Sequence, residues 1–256
     1  MRTPEELRGA VEAYLRSLSF APELGPLEEA LRYALESGGK RIRPVLCLAV
    51  AEAAGGALEQ ALPAAAALEL VHTFSLVHDD LPALDDDAVR RGRPSLHVAY
   101  GEGPALLAGD ALLAEAVRLA LAYDDPGIAR ELVEATLGMI GGQYRDITGD
   151  DADLAEVERL KTGRLLAAAV GLGLRAARVP DAEQGPWRDF GEELGLLFQV
   201  VDDLLDGDGF VLRLGAEGAR ALADEAAERA RARLAAIAAD TSCLRELVDG
   251  LAIRTA

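Results

Sequence analysis

Apolar side chains recur every three to four positions along nearly the whole chain, which is the spacing of amphipathic helices. No run of alternating apolar and polar residues predicts a strand. Proline, glycine and aspartate clusters separate the helical stretches, and Thr3-Pro4-Glu5-Glu6 is typical of a capped helix start. The pattern predicts one all-α bundle of about ten helices: Pro4 to about Leu18, Gly25-Pro26 to about Ser37, Pro44–Ala54, Pro63–Leu81, Pro104–Tyr123, Gly127–Ile147, Asp153–Ala177, Asp181–Leu205, Gly215–Ala239 and Ser242–Ile253.

Two of these helical stretches, Leu62–Leu81 and Phe190–Leu205, are apolar on nearly all sides, so we expect them at the centre of the bundle. Each ends in aspartates. The first cluster comprises Asp79, Asp80, Asp85, Asp86 and Asp87, and the second comprises Asp202, Asp203 and Asp206.

A single aspartate-rich helix end is ordinarily a solvated terminus. Asp202 and Asp206 are four positions apart, so their charges repel on one helix face, and the helix dipole disfavours anions at this end. Two such clusters at the ends of core helices indicate instead a shared hard cation. Ligands that are all oxygen favour Mg²⁺.

Composition narrows the function. The 256 residues include 50% hydrophobic residues, enough for a sizeable core, and 44 acidic against 26 basic residues give a net charge of −18. A chain this acidic is repelled by nucleic acid. Its apolar runs are too short to span a membrane, its first residues lack the apolar part of a secretory signal, and two cysteines cannot form a disulfide framework or a zinc cage. We therefore expect a cytoplasmic protein.

The cations are unevenly distributed. Only two lysines occur, and each lies in a compact polar block, Gly38–Pro44 or Lys161-Thr162-Gly163. A third block, Arg90–Pro94, follows the first aspartate cluster closely. Arginine forks and a lysine point charge suit diphosphate oxygens, and Mg²⁺ with carboxylates commonly serves a phosphorylated substrate.

These blocks, in this order over residues 38 to 206, resemble the trans-isoprenyl diphosphate synthases, which make geranyl, farnesyl and geranylgeranyl diphosphates. The resemblance rests on GGKRIRP, DDLPALDDDAVRRGRPSLH, KTG and FQVVDDLLD. It implies residues 1–256 as one helical domain around a central cavity, three Mg²⁺ per active site, and a homodimer.

The resemblance also implies a role for individual residues. Isopentenyl diphosphate would be bound by Lys40, Arg43, His72 and Arg91, and the allylic diphosphate by Arg90 and Lys161. Asp79, Asp85 and Asp202 would hold the metal ions, with Asp80 and Asp206 in support. Thr162 and Gln199 would stabilise the allylic cation. Arg41 and Arg93 are expected to be solvated neighbours.

Product length by this resemblance depends on the residues four and five positions before Asp79, which are Ser75 and Phe74. A bulky ring there resembles the farnesyl-producing pattern, as does the Pro82-Ala83 insertion, which geranylgeranyl synthases of one type share. We expect a C15 product, with C20 next and C10 third. Phe74 as ordinary core remains open, as do His72 and Gln199 as satisfied buried groups.

After Asp206 the chain departs from the family pattern. The usual lysine-bearing loop is replaced by a short glycine-rich stretch, and no lysine follows Lys161. Relative to the family pattern the chain is shortened here, which leaves a second hypothesis open: a catalytically weakened subunit that binds diphosphates or regulates a partner. A terpene cyclase is disfavoured because its second metal motif needs asparagine, which this chain lacks. His78-Asp79 and Glu69-x-x-His72 lack the second copy that metal phosphohydrolase and di-iron sites require.

Overall fold

The computed structural model describes residues 1–149, 156–157 and 159–253, and most of these are helical. The helices are α1 (Pro4–Ser17), α2 (Leu27–Leu35), α3 (Ile42–Ala53), α4 (Leu58–Asp79), α5 (Leu96–Tyr100), α6 (Glu102–Ala120), α7 (Pro126–Thr148), α8 (Arg164–Ala176), α9 (Gly185–Asp206), α10 (Gly209–Ala235) and α11 (Ser242–Ala252). Short 3-10 turns span Pro22–Leu24 and Asp181–Glu183, and Arg159–Gly163 form a π-helical turn. The all-α prediction is confirmed.

The first helix begins as its sequence predicts. The Thr3 hydroxyl accepts a hydrogen bond from the Glu6 backbone N–H at 3.3 Å, and the Glu6 carboxylate accepts one from the Thr3 N–H at 2.8 Å. This reciprocal cap satisfies two donors that a helix start leaves unpaired, and Pro4 has no N–H to satisfy.

Helix α4 forms the centre of the bundle and carries the first aspartate cluster at its end. Its middle is almost completely buried, and α3, α6 and α8 pack around it. Alanines from 64 to 67 let these neighbours approach closely. By length and composition α4 is apolar enough to cross a membrane, yet 67% of that apolar stretch is buried within the bundle, as in a core helix.

The sequence analysis predicted neither a short hairpin after the first aspartate cluster nor the short helix α5 that follows it. Val89–Arg90 (β1) and Arg93–Pro94 (β2) form an antiparallel hairpin, in which Arg90 pairs with Arg93. The turn residues Arg91 and Gly92 both have positive φ, 53° and 75°, as a tight two-residue hairpin turn requires. Helix α5 follows directly. Two paired residues per strand are too few to produce the alternating pattern that identifies a strand from sequence.

Around residue 160 and after Asp206 the helix boundaries also differ from the prediction. The start of the predicted helix Asp153–Ala177 lies outside the described residues, and regular α8 begins at Arg164. Helix α10 is kinked at Gly215, where the backbone is non-helical (φ 73°, ψ 162°), so a short helical segment that begins at Gly209 precedes the helix predicted from Gly215. The early start is stabilised because the Asp203 carboxylate accepts a hydrogen bond from the Phe210 N–H at 2.7 Å.

Candidate active site

A cavity of about 600 Å³ lies between the ends of the two aspartate-bearing helices. Helix α4 forms one wall, α7 the next, and the π-helical turn and α9 complete it. Its lining includes Arg43, His72, Phe74, Ser75, His78, Asp79, Leu84, Arg90, Arg91, Met139, Ile140, Gln143, Tyr144, Ile147, Lys161, Thr162, Phe198 and Asp202. Ten of the residues predicted from sequence therefore surround one space.

Arg43 and Arg91 form a cationic side of the cavity, on which His72 also lies. Within the described residues the Nε atom of Arg43 is buried without a hydrogen-bond partner, and its guanidinium lies 5.7 Å from the centre of the Phe198 ring. Burial, together with the charges of Arg43 and Arg91, lowers the pKa of His72 well below its usual value. His72 is therefore a neutral imidazole. It lies beside the available Nε–H donor of Arg43, and such a surface is suited to bind an anion.

The hairpin adds two further arginines to the cavity. Arg90 donates two hydrogen bonds to the buried carboxylate of Asp80, one from Nε at 2.9 Å, and a third to Asp87 at 3.1 Å. Arg91 donates to the backbone carbonyl of Gly38. The tight turn thus directs one arginine toward the aspartate cluster and the other toward the Gly38–Arg43 turn.

Two carboxylates face the cavity, Asp79 from α4 and Asp202 from α9. Burial raises the pKa of Asp79 to about 6, with the nearby Asp85 charge adding to the effect and Lys161 opposing it. The pKa of Asp202 is raised by desolvation and by Asp206, one helical turn away. The negative charge of each carboxylate is therefore unfavourable in this arrangement, and a cation bound nearby would stabilise it.

The ligand atoms of these residues suit Mg²⁺, but their side chains are not grouped around one ion position. All the acidic side chains at the mouth offer oxygen ligands, which Mg²⁺ prefers while it retains several waters. In the described part of the chain, no group of three or more His, Cys, Asp or Glu side chains is arranged to hold a metal ion. Asp85 and Asp206 are exposed outside the cavity lining, and Asp80 is engaged by Arg90.

Lys161 and Thr162 reach the cavity from the π-helical turn, the kind of helix defect that recurs at functional sites. The Lys161 ammonium forms an ion pair with Asp146 of α7 at 2.5 Å. Its charge also lowers the pKa of Asp79, which places it on the carboxylate side of the cavity.

Phe74 forms the apolar part of the cavity wall on α4. Its ring packs edge-on against His78, with ring centres 5.1 Å apart, and His78 Nε2 lies 3.0 Å from the Leu106 carbonyl. His78 fits there because Gly109 has no side chain; a Cβ at that position would overlap the imidazole. Ser75 also lines the cavity, and its hydroxyl donates to the His72 carbonyl at 2.9 Å.

Two predicted substrate-binding residues lie elsewhere. Lys40 is exposed and lines a groove between α1 and α11, although its charge lowers the pKa of Asp202. Gln199 lines a separate cavity of about 450 Å³ beside α8 and donates to Asp203 Oδ1 at 2.7 Å. Its buried Oε1 has no partner within the described residues.

The expectation that Arg41 is a solvated neighbour is wrong. Its side chain is 1% exposed and forms an ion pair with the buried carboxylate of Glu69 at 2.5 Å. A positive φ of 49° turns it inward, away from the direction of Lys40, which no spacing rule indicates. Gln143 was also missed; both of its amide atoms are buried at the cavity and lack partners within the part of the chain described.

Comparisons with known proteins identify the family of the chain. The family model described as polyprenyl synthetase matches residues 25–217, which contain the whole cavity lining. The chain belongs to the polyprenyl synthetase family. Members of this family use Mg²⁺ to bind diphosphates.

Relatives within the family are named as synthases of short prenyl diphosphates. The chain is 37% identical to farnesyl diphosphate synthase of Bacillus subtilis over 74% of its own length and 69% of the relative's. It is 43% identical to geranylgeranyl diphosphate synthase of Cyanophora paradoxa over 70% of its length and 64% of that protein's. Its matches span between 52% and 69% of the curated relatives' lengths.

The fold matches a solved family structure over nearly the whole chain. The crystal structure of a geranyltransferase from Legionella pneumophila superposes with a TM-score of 0.88 at 32% identity, covering 98% of this chain and 96% of that one. The isoprenoid synthase fold predicted from the motifs is thereby confirmed.

Proposed function

We propose that this polyprenyl synthetase family member condenses isopentenyl diphosphate with an allylic diphosphate, head to tail. One observation carries the proposal: a single cavity has a cationic side, formed by Arg43 and Arg91, and a carboxylate side, formed by Asp79 and Asp202. Two diphosphates held in different ways would fit these unlike sides, one on arginines and one through metal ions.

Isopentenyl diphosphate is assigned to the cationic side, where Arg43, His72 and Arg91 line the cavity and Lys40 lies nearby in sequence. The Arg43 Nε, which has no partner among the described residues, is placed to donate to a phosphate oxygen. Because His72 is neutral, it donates a hydrogen bond without adding positive charge next to the reacting double bond.

The allylic diphosphate is assigned to the opposite side, bound by Arg90 and Lys161. Three Mg²⁺ would be held there by Asp79, Asp85 and Asp202, with Asp80 and Asp206 in support. When bound, the metal ions neutralise the diphosphate as it leaves. Asp85 raises the pKa of Asp79 and Asp206 raises that of Asp202, so each lies close to a carboxylate that faces the cavity.

The protein's remaining task is to protect an allylic cation. Breaking the carbon–oxygen bond leaves that cation, the isopentenyl double bond attacks it, and the released diphosphate takes the proton. The Thr162 hydroxyl offers an oxygen to the positive charge. The Gln199 carbonyl, which accepts no hydrogen bond from the described residues, would offer a second after a change of side-chain direction. Apolar side chains of α7 in the cavity wall keep water away.

For the product we propose farnesyl diphosphate, with geranylgeranyl diphosphate as the alternative. Phe74 is 7% exposed and its ring limits the cavity where an allylic chain would extend. Phe74→Ala is expected to shift the product from C15 toward C20, measured by chromatography of the dephosphorylated prenols. Phe20→Ala removes an equally buried ring outside the cavity and should leave the product unchanged; a shift with both variants, or with neither, would refute the role of Phe74.

The function is tested by incubating the protein with isopentenyl diphosphate, Mg²⁺ and, in separate reactions, dimethylallyl, geranyl or farnesyl diphosphate. The proposal predicts prenyl diphosphate products that disappear with Asp79→Ala. No product from a folded wild-type protein with any acceptor would favour the alternative, a weakened diphosphate-binding subunit. That alternative is motivated by the shortened connection after Asp206, where only two residues precede α10.

We also propose a homodimer formed through α7. Its exposed apolar residues repeat at intervals of four and three, the spacing of a helix–helix interface: Val133, Leu137, Ile140, Tyr144 and Ile147. The last three also line the cavity, so the partner subunit would cover the open side of the cavity. Leu137→Glu should halve the mass in analytical ultracentrifugation, whereas Leu212→Glu, at a similarly exposed leucine of α10, should not. A wild-type monomer at micromolar concentration would refute the dimer.

A further inference from the structure

The turn between α2 and α3 has an unusual backbone and leads directly to Arg43, a proposed ligand in the first turn of α3. Gly38, Gly39 and Arg41 all have positive φ, at 77°, 127° and 49°. A side chain at Gly39 would overlap the guanidinium of Arg91, so the turn and the hairpin arginine are packed together. Arginine in this left-handed conformation is uncommon and needs support from the surrounding structure.

The Arg41 side chain supplies that support by binding three different elements. Its Nε donates to Glu12 of α1 at 2.8 Å, Nη1 to Glu69 of α4 at 2.5 Å, and Nη2 to the Leu35 carbonyl at the end of α2 at 2.5 Å. All three nitrogens of the guanidinium are therefore engaged, so the side chain is not available to bind substrate.

Stability alone does not explain the pair of Arg41 and Glu69. Both side chains are at most 2% exposed, and removing two charges from water costs about as much as their attraction returns. Buried pairs of this kind are frequently replaceable by apolar residues without loss of stability, whereas a fixed hydrogen-bonded geometry is not. We therefore look for a functional reason for the fixed geometry of the Arg41–Glu69 pair.

That reason lies in where Glu69 is placed. It is three residues before His72 on α4, so both lie on the same face of the helix, and α4 ends at Asp79. Burial lowers the pKa of Arg43, and the Glu69 charge is the largest effect that opposes it. Glu69 acts in the same direction on Arg91.

We propose that Arg41 and Glu69 form a positioning pair that fixes the Gly38–Arg43 turn to α4 and so sets where Arg43 and His72 bind a metal-free diphosphate. The inference rests on the proposed function for the identity of that diphosphate. Neither residue touches the substrate; the pair holds the groups that do.

The test uses Arg41→Lys, which retains the charge but loses the planar fork that reaches three partners. In steady-state turnover with Mg²⁺ we expect KM for isopentenyl diphosphate to rise about tenfold or more, with kcat and KM for the allylic substrate changed much less. Glu69→Gln retains an acceptor but no charge, and should shift KM in the same direction by a smaller factor. Melting temperatures establish that each variant is folded.

Arg175→Lys is the matched control, because Arg175 also bridges several carboxylates, those of Glu131, Asp125 and Asp181, away from the cavity. It should leave both KM values unchanged. If Arg41→Lys behaves like Arg175→Lys, or lowers kcat and raises both KM values alike, the pair is only structural and the inference falls.

A second measurement separates this inference from the proposed function. Calorimetric titration with inorganic pyrophosphate in EDTA should show binding by the wild type and about tenfold weaker binding by Arg41→Lys. If wild type forms no prenyl product but this difference is present, the function fails and the inference stands. If wild type is active but both proteins bind pyrophosphate equally, the inference fails and the function stands.

Discussion

The two sides of the cavity differ in how far the protein has assembled them. On the cationic side the turn carrying Arg43 is fixed by the buried pair of Arg41 and Glu69, and the neighbouring imidazole of His72 is held neutral. On the carboxylate side, Asp79 and Asp202 have raised pKa values, and the described residues contain no group ready to hold a metal ion.

The difference follows from the sign of the charges and from what balances them. The cationic side has its own counter-charge, because Glu69 lies among the arginines and compensates them in the absence of ligand. The aspartates repel one another across one helical turn and along the loop after α4, with Lys161 as a partial balance. Ionisation of the aspartates on the carboxylate side becomes favourable only when cations from solution bind there.

The largest effect that would sharpen this comparison concerns Asp202 and Asp206. Asp202→Asn removes a carboxylate that faces the cavity and should lower kcat by about 10²- to 10³-fold. Asp206→Asn removes an exposed neighbour and relieves repulsion, so its loss should be much smaller. Initial rates at saturating Mg²⁺ and substrates provide the measurement. Equal losses would mean that both aspartates bind the ions alike.

A somewhat smaller effect is expected on the cationic side. Arg43→Met retains most of the side-chain length but removes the donors, so KM for isopentenyl diphosphate should rise about 30-fold or more, since losing a partner of a buried charge typically costs 2 kcal/mol or more. Arg93→Met makes the same change at an arginine that stacks on Tyr33 outside the cavity. A comparable rise in KM for both variants would show that general positive charge, rather than this placement, binds the substrate.

The smallest effect is thermal and depends on pH. Because the pKa of Asp79 is about 6 in the folded protein against 3.8 ordinarily, its ionisation opposes folding as pH rises from about 4 to 6. Without metal, Asp79→Asn should therefore melt a few degrees above wild type at pH 7.5, with little difference at pH 4. Adding Mg²⁺ and pyrophosphate should stabilise wild type selectively. An equal melting temperature of the two proteins at pH 7.5 would show that Asp79 is not destabilised by burial.

Much of the fold could be predicted from sequence because the periodicity and the caps of a helix depend on residues that are close together in the chain. The periodicity placed nearly every long helix within a few residues, and the capping box at Thr3 fixed one start. The motif blocks indicated the family, which the comparisons confirm, and ten of the predicted site residues line one cavity. The aspartates were informative because charge at the end of an apolar helix is unfavourable without a further reason.

What the sequence could not supply is the direction in which a side chain points when the backbone is irregular. Arg41 lies between two residues proposed to bind substrate, yet its left-handed backbone turns it into the core. The hairpin that presents Arg90 and Arg91 is too short for a period-two signal; only the Arg91-Gly92 pair hinted at its turn. Gln199 donates to Asp203, one turn further along the same helix, and lines the neighbouring cavity; its membership of the motif did not indicate this direction.

The most direct test of the contrast between the two sides is calorimetric titration of the wild type with isopentenyl diphosphate and with a non-ionisable thio analogue of dimethylallyl diphosphate, each in EDTA and in Mg²⁺. The account predicts that isopentenyl diphosphate binds in EDTA, because the cationic side is already assembled, and that the allylic analogue binds only when Mg²⁺ is present. Tight binding of the allylic analogue in EDTA, or a strict Mg²⁺ requirement for isopentenyl diphosphate, would contradict it.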